Sequence, residues 1–283
     1  MSSIETAPHS RRWPASMPAH LLRPALGLSL LVALGIAAAM LGEGAMRADF
    51  QSRFQPPTLA HPFGTDQLGR DMLARTLAGL GVSMQVGLAA AAISTVVAVL
   101  LALVAGLHRA ADAAVSFVID LFLGLPHLVL LVLLSFAFGG GTQAVILAVA
   151  LTHWPRLGRV LRAELMQVQA SDYVRTSYAL GRSRGFVLIR HALPHLLPQA
   201  LIGFILLFPH AILHEAGLTF LGFGLEPSRP AVGILLADAM KTLAAGRWWL
   251  ALFPGLCLLG LVLAFDNIGN AVRRALDPRG ARS

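Results

Sequence analysis

Six long runs of apolar residues, separated by polar segments, dominate the pattern of the chain. The first extends from Pro24 to Gly42, and the others occupy residues 82–107, 112–138, 142–161, 197–223 and 248–272. Each run approaches or exceeds the roughly 20 residues that a helix needs to cross the hydrocarbon core of a bilayer. The pattern therefore predicts an all-α membrane protein with about six transmembrane helices.

Composition supports a membrane protein over a water-soluble one. The chain is 56% hydrophobic and only 13% charged, whereas soluble domains carry about 25% charged residues. The net charge of +8 does not indicate a nucleic-acid partner, because the basic residues are spread between the apolar runs and form no DNA- or RNA-binding motif. Positive charge in cytoplasmic loops explains this distribution.

Two of the apolar runs have features that do not fit a transmembrane helix at first sight. The first could be a secretory signal peptide, since small residues crowd Ala37–Ala39, but its apolar stretch exceeds the about 7–15 residues of such a segment. We favour an uncleaved first helix. The fourth run, 142–161, is interrupted by His153, Arg156 and Arg159. We keep it because without it the basic loop that follows would lie opposite the basic N-terminal segment.

The lysines and arginines give the orientation. With the N-terminus inside and six spans, 15 of the 22 basic residues lie on the inner side and 7 outside, as the positive-inside rule expects. Both termini are therefore predicted to be cytoplasmic. The predicted organisation is a cytoplasmic tail at 1–22, a first transmembrane helix at 23–42, an external amphipathic segment at 43–81, a five-helix transmembrane core at 82–272 with a cytoplasmic loop at 166–195, and a C-terminal tail at 273–283.

The cytoplasmic loop has its own helix signals. Ser171 or Asp172 can cap the start of a short helix, and Gly181 can take the left-handed conformation that ends it. A second short helix, Phe186–Ala192, is expected to stop before Pro194. The loop could be a solvated segment that merely obeys the positive-inside rule, or a compact surface offered to a partner.

A resemblance to a known family favours a partner. Tyr173–Gly181, followed by Ile189–Pro194, resembles the "EAA…G…LP" loop of ATP-binding-cassette (ABC) importer permeases, although the Glu-Ala-Ala core reads Arg175-Thr176-Ser177 and His195 follows the Leu-Pro pair. In that family the loop forms coupling helices that sit in a groove of a separate ATPase. The residues expected to carry this role are Tyr173, Arg175, Thr176, Ser177, Tyr178, Leu180, Gly181, Leu193 and Pro194.

Further motifs place the resemblance in one branch. His61–Asp71 is similar to the "GTDxxGRD" segment of dipeptide, oligopeptide and nickel importer permeases, and Glu215–Gly224 to their "EAxLSFLGLG" stretch. Leu263–Asn270 with Leu276–Arg279 resembles their last span and its "LDPR" end, while Val232-Gly233 replaces a common Trp-Gly. The chain looks like the C-type permease of a pair.

The resemblance implies a type I ABC importer permease fold in a bacterial cytoplasmic (inner) membrane. It also implies a heterodimer with a second permease, two ATP-binding subunits and an extracytoplasmic solute-binding protein. The chain shows no Gly-x-x-x-x-Gly-Lys-Ser/Thr phosphate loop and no catalytic motif. We therefore expect a non-catalytic subunit that binds no cofactor, with ATP hydrolysed by partners. The alternative is a secondary transporter driven by an ion gradient, which would have no reason to carry a coupling loop.

Histidines within the apolar runs are the candidate substrate-pathway residues, because ionisable groups inside a membrane are costly. His210 and His214 lie four residues apart and share a helix face, with Glu215 next along the chain. Two such imidazoles could hold a divalent metal, and His153 and His127 could join them only if packing brings them close. His-x-x-x-His before Ala-Gly, with Thr152–Trp154, resembles nickel permeases and favours nickel or a metal chelate over a peptide. The histidines could instead satisfy polar needs between helices.

Overall fold

The computed structural model describes residues 19–41 and 45–276, and this part of the chain is helical with no strand. Short 3-10 and π-helical turns occupy Phe50–Ser52 and Leu188–Ala192. The α-helices are α1 (Ala19–Leu41), α2 (Met72–Ala105), α3 (Arg109–Gly124), α4 (His127–Ala137), α5 (Gly141–Gln169), α6 (Asp172–Ala179), α7 (Arg184–Val187), α8 (Leu193–Phe220), α9 (Val232–Leu243) and α10 (Trp249–Leu276).

The apolar runs of the sequence correspond to helices long enough to cross a membrane. Four helical segments qualify by length and hydropathy, namely Met72–Ala105, Gly141–Gln169, Arg184–Phe220 and Trp249–Arg274. Helices α3 and α4 qualify together, although the chain bends by 102° between them. With the shorter apolar stretch in α1, this confirms an all-α membrane protein with about six transmembrane segments.

Helix α2 lies at the centre of the fold and packs against α5 and α8. Its buried face is built largely from alanine, glycine and serine, and such small residues let helix backbones approach closely as in other membrane bundles. Gly87 of α2 faces Ile212 of α8, and Gly203 of α8 faces Leu157 of α5 so closely that an added Cβ would lie 2.3 Å from Leu157 Cδ1. These contacts set the spacing of the three helices.

Large apolar side chains cover the outer faces of the same helices. Leu88, Val96 and Leu100 of α2 are more than half exposed, and so are Leu133 and Phe136 of α4. Exposed apolar surface on this scale would be costly in water, whereas lipid accepts it. The described helices thus bury small residues against one another and present bulky ones outward.

The segment before α2 folds around Asp66. This carboxylate is 4% exposed and accepts hydrogen bonds from the side chains of Arg70 and Arg75, with Arg75 Nη1 at 2.5 Å. It also accepts from the backbone N–H groups of Leu68 and Arg70. A buried charge needs such partners, so the "GTDxxGRD" pattern has a structural reason.

Asp71 and two glycines complete this segment, which the sequence predicts to be external. Asp71 caps α2 by accepting from the Ala74 N–H, and His61 Nδ1 lies 2.8 Å from the same carboxylate. Gly64 and Gly69 adopt φ values of +71° and +73°, which glycine tolerates without strain. Helix α2 consequently begins at Met72, well before the apolar run at 82–107.

The loop predicted to be cytoplasmic differs from the prediction at its second helix. Gly181 ends α6 with φ +78°, and the N–H of Arg182 bonds to the carbonyl of Ser177, as predicted for a glycine-terminated helix. The prediction that the next helix stops before Pro194 was wrong. Helix α7, the π-helical turn and α8 form one continuous helical run, Arg184–Phe220.

The π-helical turn explains why proline does not end this helix. In a regular α-helix the ring of Pro194 would meet the carbonyl of residue 190. Here the Leu193 N–H reaches back five residues to the Leu188 carbonyl, which widens the helix just before the proline. Pro194, which has no N–H to donate, directly follows this widened turn as the second residue of α8.

Some predicted features lie outside the described residues. They are residues 1–18 of the predicted N-terminal tail, Gly42 at the end of the first predicted span, residues 43–44 of the external segment, most of the "LDPR" pattern, and residues 277–283 of the predicted C-terminal tail.

Candidate functional site

A cavity of about 230 Å³ opens between α4, α5 and α8. Its polar lining comes from a threonine, a glutamine, an arginine and histidines on three helices, and the remainder is apolar. The polar lining residues are His127, Thr152, His153, Arg156, Gln199, His210 and His214. This is the only place in the described part of the chain where three possible metal ligands converge.

Three imidazoles meet at this cavity. His127 is the first residue of α4, His153 lies in the middle of α5, and His214 lies in α8. Their ring centroids are 4.6–5.0 Å apart, and one nitrogen of each ring lies within 4.8 Å of the other two. The bend between α3 and α4 places His127 at a helix start that faces the other two. We call these residues the histidine triad.

Hydrogen bonds fix the tautomer of His153. Its Nδ1 lies 2.8 Å from the Val149 carbonyl, which can only accept, so Nδ1 carries the proton. Nε2 is therefore the atom with the free lone pair. This atom is buried and has no hydrogen-bond partner within the described residues. An orphaned acceptor of this kind is rare in a folded protein.

The other predicted pathway residues take different positions. His210 lines the same cavity but lies outside the triad, and its Nδ1 donates to the Leu206 carbonyl at 2.9 Å. Glu215 is completely buried and accepts a hydrogen bond from Thr219 Oγ1 at 2.9 Å. That threonine in turn accepts from the Leu225 N–H, so Glu215 anchors the turn that follows α8.

Sequence reasoning did not single out Arg156 or Gln199 as cavity residues. Arg156 appears in the sequence only as an interruption of an apolar run, and Gln199 lies one turn after Pro194 with no motif around it. Helical spacing holds the signal for Arg156, since it is three residues after His153 and shares its face. For Gln199 the sequence holds no comparable signal.

The loop predicted to be cytoplasmic is anchored on the side that faces the helix bundle. Val174, Val187 and Leu188 are buried with Leu165 of α5 in one apolar cluster. Gly106, at the end of α2, lets Leu188 approach so closely that an added Cβ would lie 2.6 Å from it. The loop is therefore a fixed part of the fold, packed on the C-terminal ends of α2 and α5.

The side of the loop that faces away from the helix bundle exposes apolar and aromatic groups. Tyr173 is 46% exposed, Leu180 76% and Ile189 66%. Ser177 Oγ lies 3.0 Å from His191 Nε2, which ties α6 to the π-helical turn. Of the remaining predicted loop residues, Arg175, Thr176 and Pro194 are exposed, while Tyr178 and Leu193 are half-buried.

Comparison with known proteins identifies the class. Residues 94–279 match the family of binding-protein-dependent transport system inner membrane components. The chain is 34% identical over 258 residues to a protein of Brucella suis biovar 1 (strain 1330) provisionally named as a peptide transport system permease, covering 90% of this chain and 87% of the relative. The chain therefore belongs to the binding-protein-dependent transport system inner membrane component family.

Two further comparisons agree with that family. The dipeptide transport system permease protein of Bacillus subtilis (strain 168) is 32% identical over 225 residues, which cover 79% of this chain and 70% of the relative. A solved structure described as an amino acid ABC transporter with histidines superposes with a TM-score of 0.55 at 18% identity, covering 71% of this chain and 94% of that chain. The latter likeness shows the fold.

Membership of this family settles the general function. The chain is a non-catalytic permease component of an ABC importer, belongs to an inner-membrane family, and works in a class of system that also contains a partner permease, an ATPase and a binding protein. A gradient-driven carrier is not favoured by these similarities.

Proposed function

We propose that this chain is the C-type permease of a heterodimer that imports short peptides or small metal chelates across a bacterial cytoplasmic membrane. Two ATP-binding subunits drive it, a solute-binding protein delivers the cargo outside, and both termini are cytoplasmic. The observation that carries the proposal is the packing of the loop Asp172–Pro194. The loop is rigidly packed on one side and presents exposed apolar groups on the other.

The exposed side of the loop favours contact with an ATPase. A loop that only obeyed the positive-inside rule would gain nothing from exposing Tyr173, Leu180 and Ile189 to water. A partner groove would bury these side chains, and its own charges would pair with neighbouring basic groups such as Arg175 and Arg182. The side of the loop that packs on the helices then transmits movement of the ATPase to them.

The relatives and the lining of the cavity favour short peptides as the substrate. The relatives described above are named for peptide or dipeptide transport, which favours short peptides. The cavity offers matching chemistry, because Arg156 can pair with a terminal carboxylate while Thr152 and Gln199 can hydrogen-bond to peptide groups. A second permease would provide the opposite wall of the pathway.

The histidines keep a metal chelate, nickel included, as the second candidate substrate. No relative described above is named for nickel, so this candidate depends on His127, His153, His210 and His214 alone. The chain itself binds no cofactor in this proposal. Any metal in the cavity is cargo.

A matched pair of glycine substitutions tests the coupling role. Gly181 and Gly246 both have φ +78° and open space around the position of an added Cβ. In the proposed topology they lie on opposite sides of the membrane. Gly181→Arg should abolish co-purification of the ATPase and ATP-dependent uptake of a labelled dipeptide. Gly246→Arg, which carries the same strain and charge, should leave ATPase co-purification intact. Equal retention of the ATPase by both variants would refute the role of the loop.

A further inference from the structure

We propose that His127, His153 and His214 together bind one divalent transition-metal ion, which passes through as cargo with its own carboxylate-bearing chelator. The site is on three helices and differs from the pair His210 and His214 that helix spacing alone suggests. As a transit site it rests on the proposed transport function, while metal binding itself can be measured independently.

The three ring nitrogens need to move only a short distance toward one another to bind one ion. A tetrahedral ion bound at about 2.1 Å to each nitrogen would hold these atoms roughly 3.4 Å apart. The triad already brings one nitrogen of each ring within 4.8 Å of the others. His127 stands at the bend between two helices and His214 is half-buried, so rotation of their side chains can close the remaining distance.

The hydrogen bonding of His153 supplies independent support. Metal-bound histidines almost always donate their second ring N–H to a carbonyl or carboxylate, which orients the ring and raises its basicity. The N–H at Nδ1 of His153 bonds to the Val149 carbonyl, and Nε2 is left buried without a partner. Histidines that only filled polar needs between helices would have paired this atom.

The donor set selects the class of metal. Three neutral imidazoles suit Ni²⁺, Cu²⁺, Zn²⁺ and Co²⁺, whereas Mg²⁺, Ca²⁺ and Mn²⁺ prefer oxygen donors. The cavity lining that the structure describes includes no carboxylate. Glu215 lies next to His214 in sequence but is held by Thr219. The protein thus provides nitrogen donors and no negative charge.

That lack of negative charge determines the form of the cargo. A bare dication beside Arg156 would be repelled by its guanidinium within the same cavity. A metal that arrives with a carboxylate chelator brings its own neutralising charge, and a free carboxylate oxygen can bond to Arg156. The chelator fills the coordination positions that the triad leaves open. A metal complex of a short peptide or amino acid fits this description and also fits the peptide relatives.

The test uses the assembled importer, purified through an affinity tag without histidine. Binding of Ni²⁺ and Zn²⁺, each added as a complex with the dicarboxylate chelator iminodiacetate, is measured by calorimetry, with Mg²⁺ and the same chelator as the comparison. We expect one Ni²⁺ or Zn²⁺ per copy of this chain, lost or weakened by at least about tenfold in His127→Asn, His153→Asn and His214→Asn. Asn at 153 keeps a donor for the Val149 carbonyl. His195→Asn, at an exposed histidine of the loop, is the matched control and should bind like the wild type.

A cysteine variant with a spectroscopic signal distinguishes loss of the metal site from misfolding. His214→Cys should still bind Co²⁺ and add a thiolate charge-transfer band to its absorption spectrum, since thiolate is also a ligand for such metals. Metal binding that survives all three Asn substitutions, or that His210→Asn removes while His127→Asn does not, would overturn the triad. Absence of the thiolate band in a folded His214→Cys importer would do the same.

Transport assays separate failure of the site from failure of the proposed function. ATP-driven dipeptide uptake without any metal binding would reject the triad and leave the peptide permease standing. Metal binding at the triad in an importer that shows no ATP-driven uptake of dipeptide or of ⁶³Ni-chelate would reject the proposed function and leave the site standing. Uptake of ⁶³Ni with a dicarboxylate chelator, lost in His153→Asn, supports both.

Discussion

Ser177 Oγ and His191 Nε2 lie 3.0 Å apart and join the two halves of the loop Asp172–Pro194. Ser177 belongs to α6, whereas His191 belongs to the π-helical turn that leads into α8. Tyr173 and Phe186 pack edge-on against the same histidine ring. The bond therefore holds an aromatic cluster together at the surface that we assign to the ATPase.

Removal of this bond should weaken coupling without unfolding the loop. A net hydrogen bond contributes about 1 kcal/mol, so Ser177→Ala should lower ATP-dependent uptake about fivefold while the permease pair remains assembled. Ser177→Thr keeps the hydroxyl and should restore most of the uptake. The measurement is initial uptake rate at saturating ATP. Equal rates in wild type and Ser177→Ala would show that the bond has no role in coupling.

The buried carboxylate of Asp66 should be critical for the external segment. Asp66→Asn removes the charge that balances Arg70 and Arg75, and breaking a buried ion pair from one side costs about 3 kcal/mol or more. We expect a clear drop in the unfolding temperature of the purified complex. Asp49→Asn is the control.

The control differs in exposure rather than in chemistry. Asp49 is exposed, and its pKa is lowered by hydrogen bonds from Ser52 and the Gln51 N–H. Its stabilising effect is therefore present above the ordinary pKa of an aspartate and is lost as the pH falls through the lowered pKa. At neutral pH Asp49→Asn should change the unfolding temperature little. A drop as large as that of Asp66→Asn would contradict the assignment of Asp66 as the centre of the segment.

Two glycines of α8 should respond in opposite ways to alanine. Gly203→Ala places a methyl group against Leu157, where overpacking costs about 1–3 kcal/mol. Gly217→Ala meets no atom within 4 Å and should be neutral or stabilising, because alanine favours helix. Thermal unfolding of the complex measures both. Leu157→Ala should rescue Gly203→Ala, and its failure to do so would show that the two side chains do not share this space.

Thr219 should prove more important than its neighbours in the turn after α8. Thr219→Val removes the hydroxyl that donates to Glu215 and accepts from Leu225, which leaves a buried carboxyl group unsatisfied at a cost of about 1–3 kcal/mol. Thr219→Ser should retain stability. Amide protection of Leu225 by hydrogen exchange reports the turn directly. Unchanged protection in Thr219→Val would mean that this link does not hold the turn.

The sequence predicted the helices well where hydropathy alone decides them. The fourth run, which polar residues interrupt, is the continuous helix α5. His153 is buried against neighbouring helices while Arg156 and Arg159 are exposed, and none of the three interrupts the helix. Hydropathy could not reveal the first turns of α2, since Met72–Arg75 form part of the external segment around Asp66. The short helix α9 also lacked a signal, because 12 residues do not span a bilayer.

The site was less accessible to sequence reasoning. Spacing placed His210 and His214 on one face, as the structure has them, but spacing describes only one helix. His127 meets His214 because the chain bends by 102° beside Pro126, and the size of such a bend depends on tertiary packing. Similarly, the end predicted at Pro194 followed a sound rule for α-helices that one π-helical turn overrides.

The continuity of the helical run Arg184–Phe220 has a mechanical consequence. Its 37 residues make a rod about 55 Å long, which has the proposed ATPase contact near one end and His214 toward the other. Because helical backbone resists compression, we expect a displacement of the loop to move His214 as well. In the proposed mechanism, ATP hydrolysis and the opening of the metal site are therefore coupled through one movement of this helix.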